Sequence, residues 1–295
     1  MTLNNSLSGF RVVAVHAHPD DEAITTGGAL HHLAARGADV TVVTCTLGEQ
    51  GEVIGDTWQQ LVNGDADQLG GFRIHELLAS LEILGVRGHF LGGAGRWRDS
   101  GMVGDPANEH PRAFVRSGTA AEDQLVSVFE QLRPHLVITY GPDGGYGHPD
   151  HIRAHEITHG AAACVEGVQR IAWAVTGRAD LEAGLDAIEA IPDGWRAPAD
   201  GELACLDQVD YQMHLDDLDY AAKVESMRVH ATQLWIADGS VSITNPRAAV
   251  ARAESTVFAL SNLIAQPIMR REHYQLGGGV AFPTGAAELT DGLER

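Results

Sequence analysis

Between Arg11 and Thr176 the chain repeats one unit, a short run of β-branched residues followed by a stretch with helical spacing. That alternation restricts the fold more than any other feature. The runs are Arg11–His16 (RVVAVH), Asp39–Thr46, Gly88–Leu91, Leu136–Tyr140 (LVITY) and Ile171–Thr176. Between them, Ala23–Arg36 reads as a helix stopped by Gly37. Ile74, Leu77, Leu78 and Leu81 follow the i, i+3, i+4, i+7 pattern. Leu125, Val128, Phe129 and Leu132 repeat it before Pro134, and Asp150–Val165 reads as another helix. Strands that are apolar along their whole length are covered on both faces, which is the signature of parallel strands joined by crossover helices. The expected fold is an α/β, Rossmann-like doubly wound, mostly parallel sheet.

After Thr176 the pattern weakens. Leu181–Ile191 reads as a helix, Ile191–Gly201 as a Pro/Gly/Asp-rich break, Leu203–His214 as weakly alternating, and Asp217–Thr232 as a helix with Tyr220, Val224, Met227 and Ala231 on one face. The expected division is a core over 8–176 and a smaller C-terminal portion over 177–295, packed on the core and helping to close a substrate cleft.

Composition removes several classes of function. With 20 Lys and Arg against 40 Asp and Glu, the net charge is −20, which repels nucleic-acid backbones and anionic membranes. Cys45, Cys164 and Cys205 form no CxxC pair, and so sparse a set suits a reducing cytoplasm. Met1–Phe10 carries neither a basic residue nor an apolar run, so no leader is expected there. The uncharged stretch Ser255–Met269 falls short of a membrane span. No GxSxG, no GxxxxGK[ST] and no GxGxxG after the first strand is present.

The chain has 15 histidines, and their placement matters more than their number. In an open α/β sheet, ligands bind beyond the carboxyl ends of the strands. The first strand runs into His16-Ala17-His18-Pro19-Asp20-Asp21-Glu22, with two histidines and three acids in seven residues. Pro19 holds His18 extended. His18 and Asp21 can then converge on one metal, with Asp20 free beside it as a general base. Asp21 and Glu22 alone would also suit a helix cap.

The fourth strand runs into Gly144-Gly145-Tyr146-Gly147-His148-Pro149-Asp150-His151. His151 can supply a third ligand, His148 can face a substrate, Asp150 can fix an imidazole tautomer, and Tyr146 offers a hydroxyl. His155 and His159 share a helix face with His151 but lie deeper along the helix, where packing roles are expected. Gly27-Gly28 suits close helix packing. Gly92–Asp99 (GGAGRWRD) follows the third strand and has the make-up of a polar ligand cleft. Arg73 can hold a hydroxyl or an anion.

The pair AHPDDE (Ala17–Glu22) and HPDH (His148–His151) resembles the LmbE-like family of zinc-dependent N-deacetylases that act on N-acetylglucosaminyl compounds. The segments Thr44–Asp56, Gln68–Ile74, Leu91–Met102, Thr139–His151, His230–Gln233 (HATQ) and Ala259–Gly279 are similar to its mycothiol-biosynthesis branch, and together the likeness covers nearly the whole chain. The resemblance implies one Zn²⁺ per chain, with Fe²⁺ as a second possibility, held by His18, Asp21 and His151. It implies Asp20 as general base and His148 as stabiliser of the oxyanion and donor to the leaving amine. Tyr146 is implied to assist at the carbonyl oxygen, and Asp150 to be a supporting carboxylate near His148. Arg73 and Asp99 are implied to hold the sugar.

The implied reaction is hydrolysis of the acetamide of 1-D-myo-inosityl 2-acetamido-2-deoxy-α-D-glucopyranoside, with this small sugar the expected partner. The rival within the family is a mycothiol S-conjugate amidase. The lysine-free Ala23–Gly27 and Gly147 before His148 favour the deacetylase. Outside the family, clustered Asp and His would also suit a two-metal phosphoesterase or a non-catalytic sugar-binding module.

Overall fold

The computed structural model describes residues 6–295. Of Met1–Phe10, read above for a leader, residues 1–5 lie outside the described residues. Five parallel strands, β1 (Arg11–His16), β2 (Asp39–Thr44), β3 (Arg87–Phe90), β4 (Leu136–Tyr140) and β5 (Arg170–Val175), lie side by side in the order β3-β2-β1-β4-β5. They alternate with helices α1 (Asp21–Ala35), α2 (Leu69–Leu84), α3 (Gly118–Leu132) and α4 (Pro149–Cys164).

Alternate side chains of each strand enter different cores, as a pleated strand requires. Val12 and Ala14 of β1 pack with Leu30 and Leu33 of α1 and Leu77 and Leu81 of α2. Val13 and Val15 pack instead with Leu125 and Phe129 of α3 and Ala154 and Ile157 of α4. Both faces of the sheet are therefore buried. This is why β1, β2 and β4 are buried along nearly their whole length, and the doubly wound expectation holds.

The strand order reverses between β1 and β4. β2 and β3 are added on one side of β1, while β4 and β5 are added on the other. The crevice at that reversal, beyond the carboxyl ends of the strands, is where such sheets bind ligands.

The chain beyond 176 does not stand apart from the sheet. The strand Arg271–Gly279 pairs antiparallel with β5, and Tyr211–His214 pairs antiparallel with it in turn, giving seven strands in all. Glycines allow this close pairing. A Cβ on Gly277 would sit 2.3 Å from Trp173 Nε1, and Gly279 (φ 82°) lies against the Gln169 carbonyl. The helix expected over Leu181–Ile191 is shorter. α5 spans Arg178–Asp186, and Ile188–Ala190 forms a strand with Arg252–Ala253. α6 (Asp217–Val229) is capped by Asp216, whose Oδ1 accepts from the Leu218 and Asp219 amides. It packs Tyr220, Val224 and Met227 into the core shared with α1. Gly28 makes room there, since a Cβ would lie 2.4 Å from the Leu215 side chain. Among the described residues no helix is long and apolar enough to cross a membrane.

Candidate metal centre and active site

The segments leaving β1 and β4 meet at the reversal. Three donor atoms converge there from His18, Asp21 and His151. His18 Nδ1 lies 3.3 Å from Asp21 Oδ2 and 3.3 Å from His151 Nε2, and Asp21 Oδ2 lies 3.4 Å from His151 Nε2. Ligands bound tetrahedrally at about 2.0–2.1 Å are separated by about 1.6 bond lengths, or about 3.3–3.4 Å. The near-equilateral triangle has the dimensions of one face of such a tetrahedron, so the donor set fits a small divalent metal with a further position left open.

The atoms behind this triangle fix its tautomers. His151 Nδ1 faces the Gly144 carbonyl at 3.1 Å, so Nδ1 carries the proton and Nε2 is the free lone pair. Gly144, at φ 65°, is pressed close: a Cβ there would lie 2.8 Å from the Cβ of His151. His18 Nε2 faces Asp150 Oδ2 at 3.4 Å and Asp99 Oδ1 at 3.7 Å, which leaves its Nδ1 for the triangle. A carboxylate behind a ligating imidazole is the usual orienting device at metal sites. Burial pushes the His18 imidazole down. The Asp99 charge and hydrogen bonds to Asp150 and Asp21 outweigh burial and hold its pKa well above the usual value. Other sets of donor atoms also cluster, His18 with His148 and His151, and His18 with Asp99 and Asp150. In the first, His148 Nδ1 is already taken by the Asp150 amide at 3.1 Å. The second lies on the protonated side of His18.

Asp20, between the proline and the triangle, has φ 111° and ψ −31°, a strained conformation for a residue with a Cβ. Such strain costs of order 1–3 kcal/mol and persists only where the surroundings hold it. Here the Asp20 amide donates to Glu22 Oε2 at 3.0 Å. Glu22 Oε1 is held in turn by Ser80 Oγ at 2.6 Å and His230 Nε2 at 2.7 Å, all buried. Burial raises the Asp20 carboxyl to about 6, partly offset by the neighbouring Arg73.

Arg73 is itself buried. Its Nη2 lies 3.0 Å from Asp20 Oδ2 and also donates to the Pro19 carbonyl, while Nη1 donates to the Gly48 carbonyl at 2.7 Å. The resemblance implies that Arg73 grips the sugar; within the protein its guanidinium lies against Asp20 and two backbone carbonyls. Asp99 is also buried. Its Oδ1 accepts from Gly101 N at 2.8 Å and its Oδ2 from Gln50 N at 3.1 Å, and burial is overcome by the charge of His18, which holds its carboxyl well below the usual range. Asp150, expected near His148, turns its carboxylate to His18 and to the Ser100 amide at 2.9 Å. Its backbone amide is what His148 receives.

Because His148 Nδ1 accepts that amide, the neutral ring carries its proton on Nε2 and is a donor. Burial, then the neighbouring His18 and His151, pushes its pKa down to about 3. Tyr146 is 60% exposed, with its ring edge-on to His151 at 5.1 Å and to His148 at 6.0 Å.

Some functional positions carried no signal in the sequence. Tyr140, the last residue of β4, stacks on His151 with centroids 4.2 Å apart and an interplanar angle of 14°. Its hydroxyl donates to Asp21 Oδ2 at 2.7 Å and accepts the Ala17 amide at 2.8 Å. One side chain thus touches two members of the triangle. Ser80 and Glu49 (which accepts the Asp99 amide at 3.0 Å) were equally unmarked, and Glu22, read as a helix cap, instead pairs with Ser80 and His230. His155 and His159 are not drawn into the cluster. They face the Tyr140 carbonyl and Trp173 Nε1, respectively, at 2.9 Å.

A family model described as PIG-L, GlcNAc-PI de-N-acetylase, matches residues 13–162, which contain every member of the triangle. Over 299 residues, covering 100% of this chain and 96% of the relative, the sequence is 78% identical to the 1D-myo-inositol 2-acetamido-2-deoxy-alpha-D-glucopyranoside deacetylase of Corynebacterium efficiens. The solved N,N'-diacetylchitobiose deacetylase from Pyrococcus horikoshii is similar in fold, with a TM-score of 0.51 and 20% identity over 79% of this chain and 73% of that one. A 4-carboxy-2-hydroxymuconate hydratase from Pseudomonas putida is as similar, with a TM-score of 0.52 and 17% identity over 93% of this chain and 98% of that one. Fold likeness at this level does not separate a deacetylase from a hydratase, and the assignment rests on sequence. The chain belongs to the GlcNAc-PI de-N-acetylase family, a family of N-deacetylases.

Proposed function

We propose that this chain hydrolyses the acetamide of 1-D-myo-inosityl 2-acetamido-2-deoxy-α-D-glucopyranoside to acetate and the free amine, a step of mycothiol biosynthesis. The chemistry is carried by the donor triangle with a carboxylate of raised pKa beside it. The choice of substrate is supported by the 78% identity to a relative of that name along the whole chain. In this reading His18, Asp21 and His151 hold one Zn²⁺, and two histidines and a carboxylate also suit Fe²⁺. When bound, the metal supplies Lewis acidity and lowers the pKa of a water.

The chain's own groups divide the remaining work. Asp20 takes the proton of the attacking water, and Arg73, 3.0 Å away, holds it in position. His148 donates a hydrogen bond from Nε2–H to the developing oxyanion, and Tyr146, at the rim beside the imidazoles, supplies a second. One such donor is typically worth about 3–4 kcal/mol. The proton taken up by Asp20 passes to the amine nitrogen as the C–N bond breaks. Asp150 and Asp99 keep His18 in the tautomer that leaves Nδ1 free. The cytoplasmic location expected from the cysteines is supported by three free thiols, of which Cys164 is exposed.

The test is acetate release from this substrate by the purified chain, with metal removed by chelation and then restored singly as Zn²⁺ or Fe²⁺. Activity that survives removal of the metal refutes the reading. A mycothiol S-conjugate assayed alongside separates the amidase reading: faster turnover of the conjugate favours it.

A further inference from the structure

The turn His230–Gln233 (HATQ) has no part in the chemistry described so far, yet it is held from several sides. It follows α6 directly. The His230 amide donates to the Met227 carbonyl, and the His230 carbonyl accepts the Gln233 and Leu234 amides at 2.9 and 2.8 Å. From α2, Glu76 accepts the Thr232 amide at 2.8 Å and the Thr232 hydroxyl at 2.7 Å. From the segment after β2, the Ile54 amide donates to the Thr232 carbonyl at 2.8 Å, and the Glu52 carbonyl accepts from Gln233 Nε2 at 2.8 Å. α6 itself is fastened to α1. Lys223 Nζ lies 2.6 Å from Glu272 Oε1, and the same buried carboxylate accepts the Gly28 and Ala29 amides at 2.9 Å each. Gly27 lets the two helices approach, since a Cβ there would lie 3.3 Å from Ser226 Oγ.

These restraints fix the place of one imidazole. The fully buried His230 ring has its Nε2 2.7 Å from Glu22 Oε1, and its Nδ1 has no hydrogen-bond partner among the described residues. Glu22 is fully buried as well, and a buried carboxylate stays charged only where donors surround it. Ser80 and His230 hold one of its oxygens, and the other accepts the Asp20 amide at 3.0 Å. On its other side Asp20 is anchored by its carbonyl, which accepts the Ala23 and Ile24 amides at 3.0 Å each. Between these anchors the residue keeps φ 111°, a conformation that an aspartate without them would leave. That backbone sets where the Asp20 carboxylate points.

We propose that His230 is a positioning residue for the proton-transfer step: through Glu22 it holds the Asp20 backbone in the conformation that aims the carboxylate, and it touches neither substrate nor metal. The inference rests on the deacetylase reading above. It adds a duty for the C-terminal portion of the chain, which on this account sets the geometry of the base as well as packing on the sheet. The competing account is a plain cross-brace between α6 and α1, whose loss would weaken the fold and lower activity with no connection to Asp20.

The test is a double-mutant cycle read by saturation kinetics of acetate release with the metal-loaded full chain. Displacing a catalytic group by about 1 Å costs up to about 10²-fold, so His230→Ala should lower kcat by about 10–100-fold, with KM within about threefold of wild type and bound metal unchanged. His230→Gln, whose side-chain amide can still donate to Glu22, should recover most of that loss. Once Asp20 is gone there is no base to aim, so adding His230→Ala to Asp20→Ala should change kcat by less than about threefold. The same fold-loss in both backgrounds overturns the proposal, and so does loss of metal or a rise in KM with kcat kept. If His230→Ala does not fold, Ser80→Ala loosens the same carboxylate oxygen from the α2 side. Its loss in kcat, about threefold or more, should likewise vanish in the Asp20→Ala background, and a loss that is absent or persists there overturns the proposal. A wild-type chain that releases no acetate instead overturns the deacetylase reading, and the role of His230 with it.

Discussion

Tyr140→Phe removes one oxygen atom from beneath the active site, and the structure allows its effect to be worked through. The hydroxyl makes two buried hydrogen bonds, to Asp21 Oδ2 at 2.7 Å and from the Ala17 amide at 2.8 Å. Losing a bond to a charged group costs about 1.5–3 kcal/mol, and a buried amide left without an acceptor costs about 1–3 kcal/mol. The two share one atom and are not independent, so a combined loss of about 2–4 kcal/mol is expected. The ring keeps its stack on His151, so the fold should survive. Asp21 then loses one of the donors that aim its Oδ2 into the triangle, and loss of such an orienting partner typically weakens metal affinity about 10–100-fold. Urea unfolding of the metal-free chain reads the first number. Competition against a chelator of known affinity reads the second. With metal saturating, kcat should recover to within a few-fold of wild type, because Tyr140 does not touch the reacting atoms. Stability within about 0.5 kcal/mol of wild type together with unchanged metal affinity would show that the hydroxyl holds neither Asp21 nor the Ala17 amide, since removing a buried hydroxyl with two good partners costs more than that.

Other substitutions separate the assigned roles. His18→Ala should lose tightly bound metal along with turnover, whereas Asp20→Ala should retain metal by elemental analysis while kcat falls by about 10²–10⁴. Arg73→Ala, read from the sequence as a loss of sugar grip, should instead lower kcat, because its guanidinium braces Asp20; a change in KM alone would return it to the substrate. His148→Ala should lower kcat with little change in KM, and the opposite pattern would remove it from the oxyanion. The fold has its own pH signature. His32 lies between Asp219 Oδ2 at 2.7 Å and Glu288 Oε2 at 2.8 Å, and these bonds outweigh burial to raise its pKa to about 9. A raised histidine pKa stabilises the fold fully below the unfolded value of about 6.5, and that contribution is lost as pH rises through about 9. The stability gap between wild type and His32→Gln, up to about 3 kcal/mol at pH 6, should therefore close by pH 9.5 in denaturant titrations.

The sheet and the address of the site are legible in the chain's own residue pattern. Uninterrupted β-branched runs can be buried on both faces only if helices cover both, so the parallel doubly wound core was legible in RVVAVH and LVITY. Its reversal then had to bring the segments after β1 and β4 together. The clustered donors of HPDDE and HPDH were legible for the same reason: residues close in sequence at a strand exit stay close in space. The antiparallel strand Arg271–Gly279 was not legible, because a charged start and three glycines suppress local strand propensity. Those glycines are explained only by Trp173 and the Gln169 carbonyl, which come from a strand about a hundred residues earlier in the chain.

What stands behind the ligands depends on contacts between distant parts of the chain. Tyr140 reads as one more apolar residue of a strand until His151 is stacked on it. Glu22 reads as a helix-capping acid until His230 arrives from beyond α6 to pair with it. Nothing in the sequence pairs Arg73 with Asp20 or Asp99 with His18, yet the folded chain sets each beside the other. Local pattern is set by which residues must leave water. The orientation of a buried charge is set by which opposite charge or amide is within about 3 Å, and at these positions that partner comes from a distant part of the chain.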